Sequence, residues 1–173
     1  MDDLHFAVGS RDHSGQINTA VVSRSVMEKW LERLAAVGIQ PNQLVSDTLA
    51  LPYKPQQWTL LLEDQTTLLR TGEQSGFCID PGNLSDMLSM MLESADEIKP
   101  EKIVVIDCRS NETSPLIFDE AIEMQHITPN EPVITFMAEY FDEGNCLDLL
   151  QGEYSRREQL SKYWRPWLPA AVL

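Results

Sequence analysis

The chain has 173 residues, 43% of them apolar, enough for one domain or two small ones with a real core. Thirteen Lys and Arg against 27 Asp and Glu leave a net charge of −14. That argues against DNA or RNA as a partner, since holding phosphates takes clustered bases, and fits a soluble protein that meets a basic protein surface. Cys78, Cys108 and Cys146 are odd in number and widely spaced, without a C-x-x-C pair. They read as reduced thiols of a cytoplasmic compartment, not as a disulfide framework or zinc site. Met1-Asp2-Asp3 is acidic where a signal peptide needs a basic start, and it runs straight into a strand, as at a boundary cut from a longer protein.

Leu4 to Gly9 and Gln16 to Val22 read as two strands joined around Arg11-Asp12-His13-Ser14-Gly15. Gly9 and Gly15 flank that turn, but it lacks a Gly-Lys-Ser/Thr ending and follows no strand-to-helix step, so it is a hairpin turn rather than a phosphate loop. Ser25 with Glu28 predicts a capping box that opens a helix running to about Val37. Val26, Trp30, Leu31, Leu34 and Val37 form its apolar stripe, with Glu28, Lys29, Glu32 and Arg33 toward water. Burial of Trp30, Leu31 and Leu34 is expected to contribute roughly 1.5–3 kcal/mol each. Gly38 stops the helix by taking the left-handed conformation. Ile39-Gln40-Pro41 then feeds a strand near Leu44 to Ser46, ahead of Asp47-Thr48-Leu49-Ala50-Leu51-Pro52. Tyr53 to Gln57, with Pro52 and Pro55, marks a module boundary.

Three strands are predicted beyond it, at Trp58–Leu62, Thr66–Arg70 and Gly76–Ile79, with turns at Asp64-Gln65 and around Thr71-Gly72. Asn83 with Asp86 predicts the start of a helix carrying Leu84, Met87, Leu88 and Met91 at i, i+3, i+4 and i+7. Met87, Met90 and Met91 read as core, or alternatively as a pliable docking groove. Within Lys102 to Asp107, Ile103-Val104-Val105-Ile106 is the continuous apolar run of a strand covered on both faces. Residues 109–121 are irregular and acidic, and Ile122 to His126 reads as a short strand. Asn130-Glu131-Pro132 opens another helix, Pro being tolerated in a first turn, with Val133, Phe136, Met137 and Tyr140 on one face and Gly144 as its end.

The composition then changes. Residues 151–173 hold four bases, Arg156, Arg157, Lys162 and Arg165, and two acids, Glu153 and Glu158, a local charge of +2. Residues 1–150 keep nine bases against 25 acids, a charge of −16. Ser155 can cap a short basic helix with Tyr163, Trp164 and Trp167 gathered at its far end, and after Pro166 and Pro169 comes a small apolar tail. Bases, then aromatics, then aliphatics is the order in which a chain approaches a bilayer from the cytoplasm. The tail is too short to span, since spanning takes ~20 apolar residues. The chain therefore reads as cut just before a membrane helix.

Two stretches carry a family resemblance. Leu-Leu-Gln-Gly-Glu-Tyr (Leu149–Tyr154) followed by Arg-Arg-Glu-Gln-Leu-Ser-Lys-Tyr-Trp-Arg-Pro-Trp (Arg156–Trp167) resembles the juxtamembrane segment of the L proteins (GspL) of bacterial type II secretion systems. The helix ending at Gly38-Ile39-Gln40-Pro41, with Asp47-Thr48-Leu49-Ala50-Leu51-Pro52 after it, resembles the same family and, more broadly, actin-like relatives such as the pilus M proteins. The element order from Trp58 (strand, strand, strand, helix, strand, strand or helix, helix) is compatible with a ribonuclease H-like unit, the building block of the actin fold. The expected fold is thus α/β (α+β), with actin-like, ribonuclease H-like mixed sheets flanked by helices. The expected division is residues 1–55 as a partial actin-like subdomain, 56–150 as a ribonuclease H-like subdomain, and 151–173 as the juxtamembrane basic-aromatic helix.

No catalytic constellation emerges from the residues. Actin-like nucleotide enzymes hold phosphate in glycine-rich β-turns, because only glycine lets backbone N–H groups come close to it. Here the first hairpin after Trp58 reads Leu61-Leu62-Glu63-Asp64-Gln65-Thr66-Thr67, with carboxylates and no glycine. His5, His13 and His126 show no metal-binding spacing, Ser10 and Ser75-Gly76 sit in no nucleophile elbow, and Cys78 and Cys108, beside Asp80 and Asp107, look like buried thiols. No cofactor and no metal are expected.

The resemblance implies a non-catalytic adaptor of the inner-membrane platform, whose cytoplasmic domain recruits the amino-terminal domain of the secretion ATPase (E protein). It also implies contacts to the M protein and other inner-membrane platform proteins through parts absent here, a homodimer, and a membrane next to Arg156, Arg157, Lys162, Tyr163, Trp164, Arg165 and Trp167. The alternative is an actin-like nucleotide-binding protein or ATPase. For the ATPase contact the densest carboxylate runs are the candidates. They are Asp96 and Glu97 in Glu93–Glu97, and Asp142 and Glu143, with Tyr140 and Phe141, in Glu139–Glu143. Both runs close predicted helices, where acids oppose the helix dipole.

Overall fold

The computed structural model describes residues 3–11, 15–95, 99–110, 122–144 and 146–155. They form two compact units, one within Met1–Val45 and Leu147–Leu173, the other Ser46–Cys146.

In the first unit, β1 (Leu4–Arg11) and β2 (Ile17–Ser23) make the antiparallel hairpin expected, in register from Leu4 opposite Ser23 to Arg11 opposite Ile17 with an irregularity after Val8. Alternation along β1 turns His5 and Ala7 inward and leaves Leu4, Phe6 and Val8 exposed. Helix α1 (Arg24–Ala36) follows at once. The capping box does not form. Ser23 is the N-cap, its hydroxyl lies 2.7 Å from that of Ser25, and neither Ser25 nor Glu28 caps. The buried stripe is also rotated. Met27 is fully buried, Leu31 and Leu34 are half-buried, and Trp30 and Val37 face solvent. The C-terminus is as expected. Gly38 sits at φ +76°, its N–H reaches the Ala35 carbonyl at 2.9 Å, and the Ile39 N–H reaches that of Leu34 at 2.9 Å. This pairing closes a helix on a left-handed glycine.

The second unit opens with a one-turn helix, α2 (Asp47–Ala50), whose Thr48 amide is held by the Asp47 carboxylate at 2.8 Å. Leu44–Ser46 is not a strand. Next come β3 (Gln57–Leu62), β4 (Thr67–Arg70), β5 (Gly76–Ile79), α3 (Leu84–Ser94), β6 (Lys102–Asp107), β7 (Glu123–Ile127) and α4 (Val133–Tyr140). The sheet order is β5-β4-β3-β6-β7. β3, β4 and β5 form an antiparallel meander, while β6 pairs parallel to β3 and β7 parallel to β6. This is the ribonuclease H-like mixed sheet anticipated from the element order.

β3 and β6 are central and apolar on both faces, so each alternates between two cores. Trp58, Leu60, Leu62, Ile103 and Val105 meet Leu84, Leu88 and Leu92 of α3 on one side. Leu61, Val104 and Ile106 meet Leu51 and Phe136 and Met137 of α4 on the other. Met87 and Met91 flank the first core, whereas Met90 is exposed, so the methionines form no groove together. Asn83 makes no side-chain cap on α3. The Asp80 carboxylate instead caps the preceding 3-10 turn, Pro81–Asn83, through the Gly82 amide at 2.9 Å. α4 ends at Tyr140, four residues before Gly144, and Phe141 is its C-cap.

Arg70 is a cation inside this unit, only 5% exposed. Its Nη1 donates to the Leu49 and Leu51 carbonyls at 2.6 and 2.5 Å, Nη2 to Glu73 O at 2.7 Å and Nε to Gly72 O at 3.1 Å, with the Tyr53 ring 5.2 Å away. The guanidinium thereby ties α2 and the following turn to β4. Gly76, opposite Arg70 in the sheet, has no room for a side chain: a Cβ there would lie 2.8 Å from Thr48 Cβ and 3.0 Å from the Leu69 carbonyl.

Arg70→Met should leave the Leu51 carbonyl without its donor and the Leu49 carbonyl with only the weak Cys146 thiol, at a cost of about 1–3 kcal/mol for a buried group left unpaired. Gly76→Ala should lose about 1–3 kcal/mol by overpacking. Urea melts of the two variants against wild type measure both.

Candidate functional site

The first candidate region is the carboxyl end of the parallel strands, where α/β folds commonly bind ligands. β3 runs out into Glu63-Asp64 and β6 into Asp107-Cys108-Arg109-Ser110. Their polar groups satisfy one another. Asp64 accepts the Ser110 amide at 2.9 Å and the Ser110 hydroxyl at 2.7 Å. Asp107 accepts from Arg109 Nε at 2.9 Å and Nη2 at 2.6 Å, a two-pronged charged pair. These bonds hold both carboxyls below the ordinary aspartate range, through the Ser110 hydroxyl foremost for Asp64 and through the Arg109 side chain foremost for Asp107. The β3–β4 turn closes by the Glu63 N–H on the Thr66 carbonyl at 3.0 Å, with no glycine in it. Acids committed to a neighbouring loop and a turn without a glycine cradle offer a phosphate chain repulsion rather than donors. Among the described residues no group of three or more His, Cys, Asp or Glu is arranged to hold a metal. His126 is exposed on β7, and His5 is buried with its Nε2–H donated to the Leu149 carbonyl at 2.7 Å. His13 lies outside the described residues. Cys108 is half-buried, which raises its thiol pKa, but Cys78 is exposed on edge strand β5, not buried as expected.

The second region is the end of α4. Tyr140 is 53% exposed with its ring 4.8 Å from that of Phe136, and Phe141 is half-buried. Asp142 and Glu143 are exposed, and Asp142 accepts the Gly144 amide at 3.1 Å. These four predicted residues are consecutive and share one end of the helix. Asp96 and Glu97, and Arg156, Arg157, Lys162, Tyr163, Trp164, Arg165 and Trp167, lie outside the described residues.

The third region is the stretch Leu147–Ser155, which straps the first unit. Asp148 Oδ1 accepts the Leu44 and Leu150 amides at 3.0 and 2.9 Å, and the Leu149 N–H donates to the Leu44 carbonyl at 2.7 Å. Gln151 brackets Val8, accepting its N–H at 2.9 Å and donating to its carbonyl at 3.1 Å. Tyr154 stands edge-on to His5 at 4.8 Å, and Glu153 pairs with Arg24. Beside the strap lies an open groove of about 500 Å³, lined in part by Leu31, Ala35, Ile39, Leu150 and Tyr154. It has no converging set of charged groups. The strap contacts of Asp148 and Gln151, and the buried Arg70, had no local signal in the sequence, because their partners are backbone groups supplied by the fold.

A family model described as "Type II secretion system (T2SS), protein L" matches residues 1–157. The type II secretion system protein L of Dickeya chrysanthemi is 23% identical over 167 residues, covering 96% of this chain and 37% of that protein. Its counterpart from Klebsiella pneumoniae is 25% identical over 175 residues, covering 99% of this chain and 40% of that protein. The chain thus spans well under half the length of these relatives. The solved cytoplasmic domain of EpsL, an inner membrane component of the type II secretion system of Vibrio cholerae, covers 89% of this chain with a TM-score of 0.69 at 21% identity, and 64% of that domain is matched. This likeness speaks for the fold. Among the described residues no helix is long and apolar enough to cross a membrane.

Because Asp64 and Asp107 have folded-state pKa values below the ordinary 3.8, their contribution is complete above that value and is lost as pH falls through the lower folded values. Denaturant melts between pH 4 and pH 2 should show a shallower loss of stability for Asp64→Asn than for wild type, with the two parallel above pH 5.

Proposed function

The chain belongs to the type II secretion system protein L family, and on that premise we propose that it is the cytoplasmic part of a non-catalytic adaptor that recruits the secretion ATPase (E protein) to the inner membrane. The observation that carries this reading is the match of the family model to residues 1–157, nearly the whole chain. The carboxyl ends of β3 and β6 support it, since Asp64 and Asp107 are engaged with Ser110 and Arg109 and the β3–β4 turn holds no glycine. In this reading the unit built on β1, β2 and α1 is a partial actin-like subdomain, Ser46–Cys146 is the ribonuclease H-like subdomain in place of the expected 56–150, and the basic-aromatic stretch after Ser155 is the approach to the membrane.

The amino-terminal domain of the E ATPase meets the acidic ends of the helices: Tyr140, Phe141, Asp142 and Glu143 on one, Asp96 and Glu97 on the other. Arg156, Arg157, Lys162 and Arg165 face anionic lipid headgroups, with Tyr163, Trp164 and Trp167 at the interface. The M protein and other inner-membrane platform proteins bind through parts of the full-length protein outside this chain, and the protein is a homodimer. The chain works on the cytoplasmic face of the inner membrane.

The test is a pull-down of this chain with the amino-terminal domain of the E ATPase. Capture at 50 mM salt that weakens by 300 mM is the expected outcome, because screening shortens the reach of charge attraction to ~10 Å at 0.1 M. No capture at any salt would remove the adaptor role.

A further inference from the structure

Every residue from Ser110 to Ser155 is something other than lysine or arginine, and ten of these 46 residues are Asp or Glu. Helix α4 stands in the middle of this base-free stretch. Its inner face is spent on the core through Phe136 and Met137. Its outer face is only partly polar: beside exposed Thr135 and Glu139 it carries exposed apolar side chains. Ile134 is 73% exposed, the most exposed of the large apolar side chains among the described residues. Ala138 and Phe141 follow it at i+4 and i+7, the spacing that puts side chains on one face. Tyr140, 53% exposed, lies instead on the side of Phe136, with its ring 4.8 Å from that of Phe136. Glu131, Glu139 and Asp142 rim it, all exposed. Leaving an isoleucine in water gains nothing for the fold, and carboxylates late in a helix oppose its dipole. An apolar stripe ringed by one sign of charge is complementary to a segment with the opposite rim.

Resting on the adaptor reading, we infer that the outer face of α4 docks a lysine- and arginine-rich amphipathic helix of a protein partner. Ile134 and Phe141 enter its apolar side, and Glu131, Glu139 and Asp142 face its bases. This helix-against-helix mode reads anchors at i, i+4 and i+7. The apolar centre sets the dissociation rate, and the acidic rim sets the association rate and its salt dependence. An anionic membrane is repelled by the same rim, so the partner is a protein.

The test uses the 173-residue chain and a fluorescein-labelled 18-residue helical peptide of leucines and lysines, read by anisotropy at 50 and 300 mM salt. Ile134→Asp suits the site because the position is exposed and in the first turn of α4, where an acid favours the helix. An unchanged melting temperature confirms that the fold is kept. The expected result is binding by wild type at low salt, weakened about tenfold or more by Ile134→Asp. Glu139→Lys with Asp142→Lys should weaken it and flatten its salt dependence. Reversal of exposed acids elsewhere, Glu32→Lys with Asp86→Lys, should change it less than about twofold. No binding by wild type, equal binding by Ile134→Asp, or equal weakening by the control reversal would each overturn the inference. A parallel arm with the E ATPase amino-terminal domain separates the two readings. If the domain binds wild type and Ile134→Asp alike, the α4 inference falls and the adaptor role stands. If it binds neither, the adaptor role falls and the peptide alone decides the α4 face.

Discussion

The parallel pairing of β3 with β6 is the constraint on which the rest of the second unit depends. Six consecutive residue pairs, from Gln57 opposite Lys102 to Leu62 opposite Asp107, fix the register. Both strands are covered on both faces, so a slip of one residue would exchange the side chains of the two cores. That register decides which residues wait for α3 and which for α4. It also brings Glu63-Asp64 and Asp107–Ser110 to the same edge, where the acids find Ser110 and Arg109 instead of a ligand. The Arg70 guanidinium completes the unit by giving the α2 turn a set of donors it could not find among apolar neighbours. A buried cation with four carbonyl bonds is costly to place and costlier to remove, because deleting it orphans the acceptors.

The strongly patterned parts of this architecture were legible in the sequence. Ile103–Ile106 reads as a doubly covered strand because each residue is apolar and β-branched, and the structure divides them between the two cores. Gly38 reads as a helix stop because few other residues accept φ +76°. The failures have a common cause. Leu44–Ser46 has the composition of a strand, but the Leu44 amide and carbonyl are taken by Asp148 and Leu149, more than a hundred residues away in sequence. The expected α1 stripe of Val26, Trp30, Leu31, Leu34 and Val37 omits Met27, which is the fully buried position, whereas Trp30 and Val37 face solvent. Ser25 and Glu28 have the spacing of a capping box, yet the helix begins two residues sooner, with Ser23 at the N-cap position and no side-chain cap bond. Arg70 reads as a strand residue like its neighbours, since nothing local announces that carbonyls at 49, 51, 72 and 73 will surround it. The candidate site was legible in its acids and aromatics at Tyr140–Glu143, but the exposed Ile134 face appeared only once the inner and outer sides of α4 were known.

The polar groups at the strand ends and the surface of α4 divide the work of the proposed adaptor. Where actin-like enzymes accept a nucleotide, this chain spends its carboxylates on its own loop. On the outer face of α4 it offers an exposed isoleucine among acids. In the proposed role the same acidic composition would serve both, repelling phosphate at one place and attracting bases at another. The strap formed by Asp148, Gln151 and Tyr154 anchors the chain on the first unit just before the basic-aromatic stretch begins.

The central claim is that this chain acts by holding other proteins and not by nucleotide chemistry. Isothermal titration of the chain with ATP and magnesium tests that claim most directly. The account predicts no saturable heat at micromolar to millimolar nucleotide, for wild type and for Asp64→Asn alike. A stoichiometric, saturable signal that Asp64→Asn or Asp107→Asn altered would contradict it, and would show the strand ends to be a working nucleotide site.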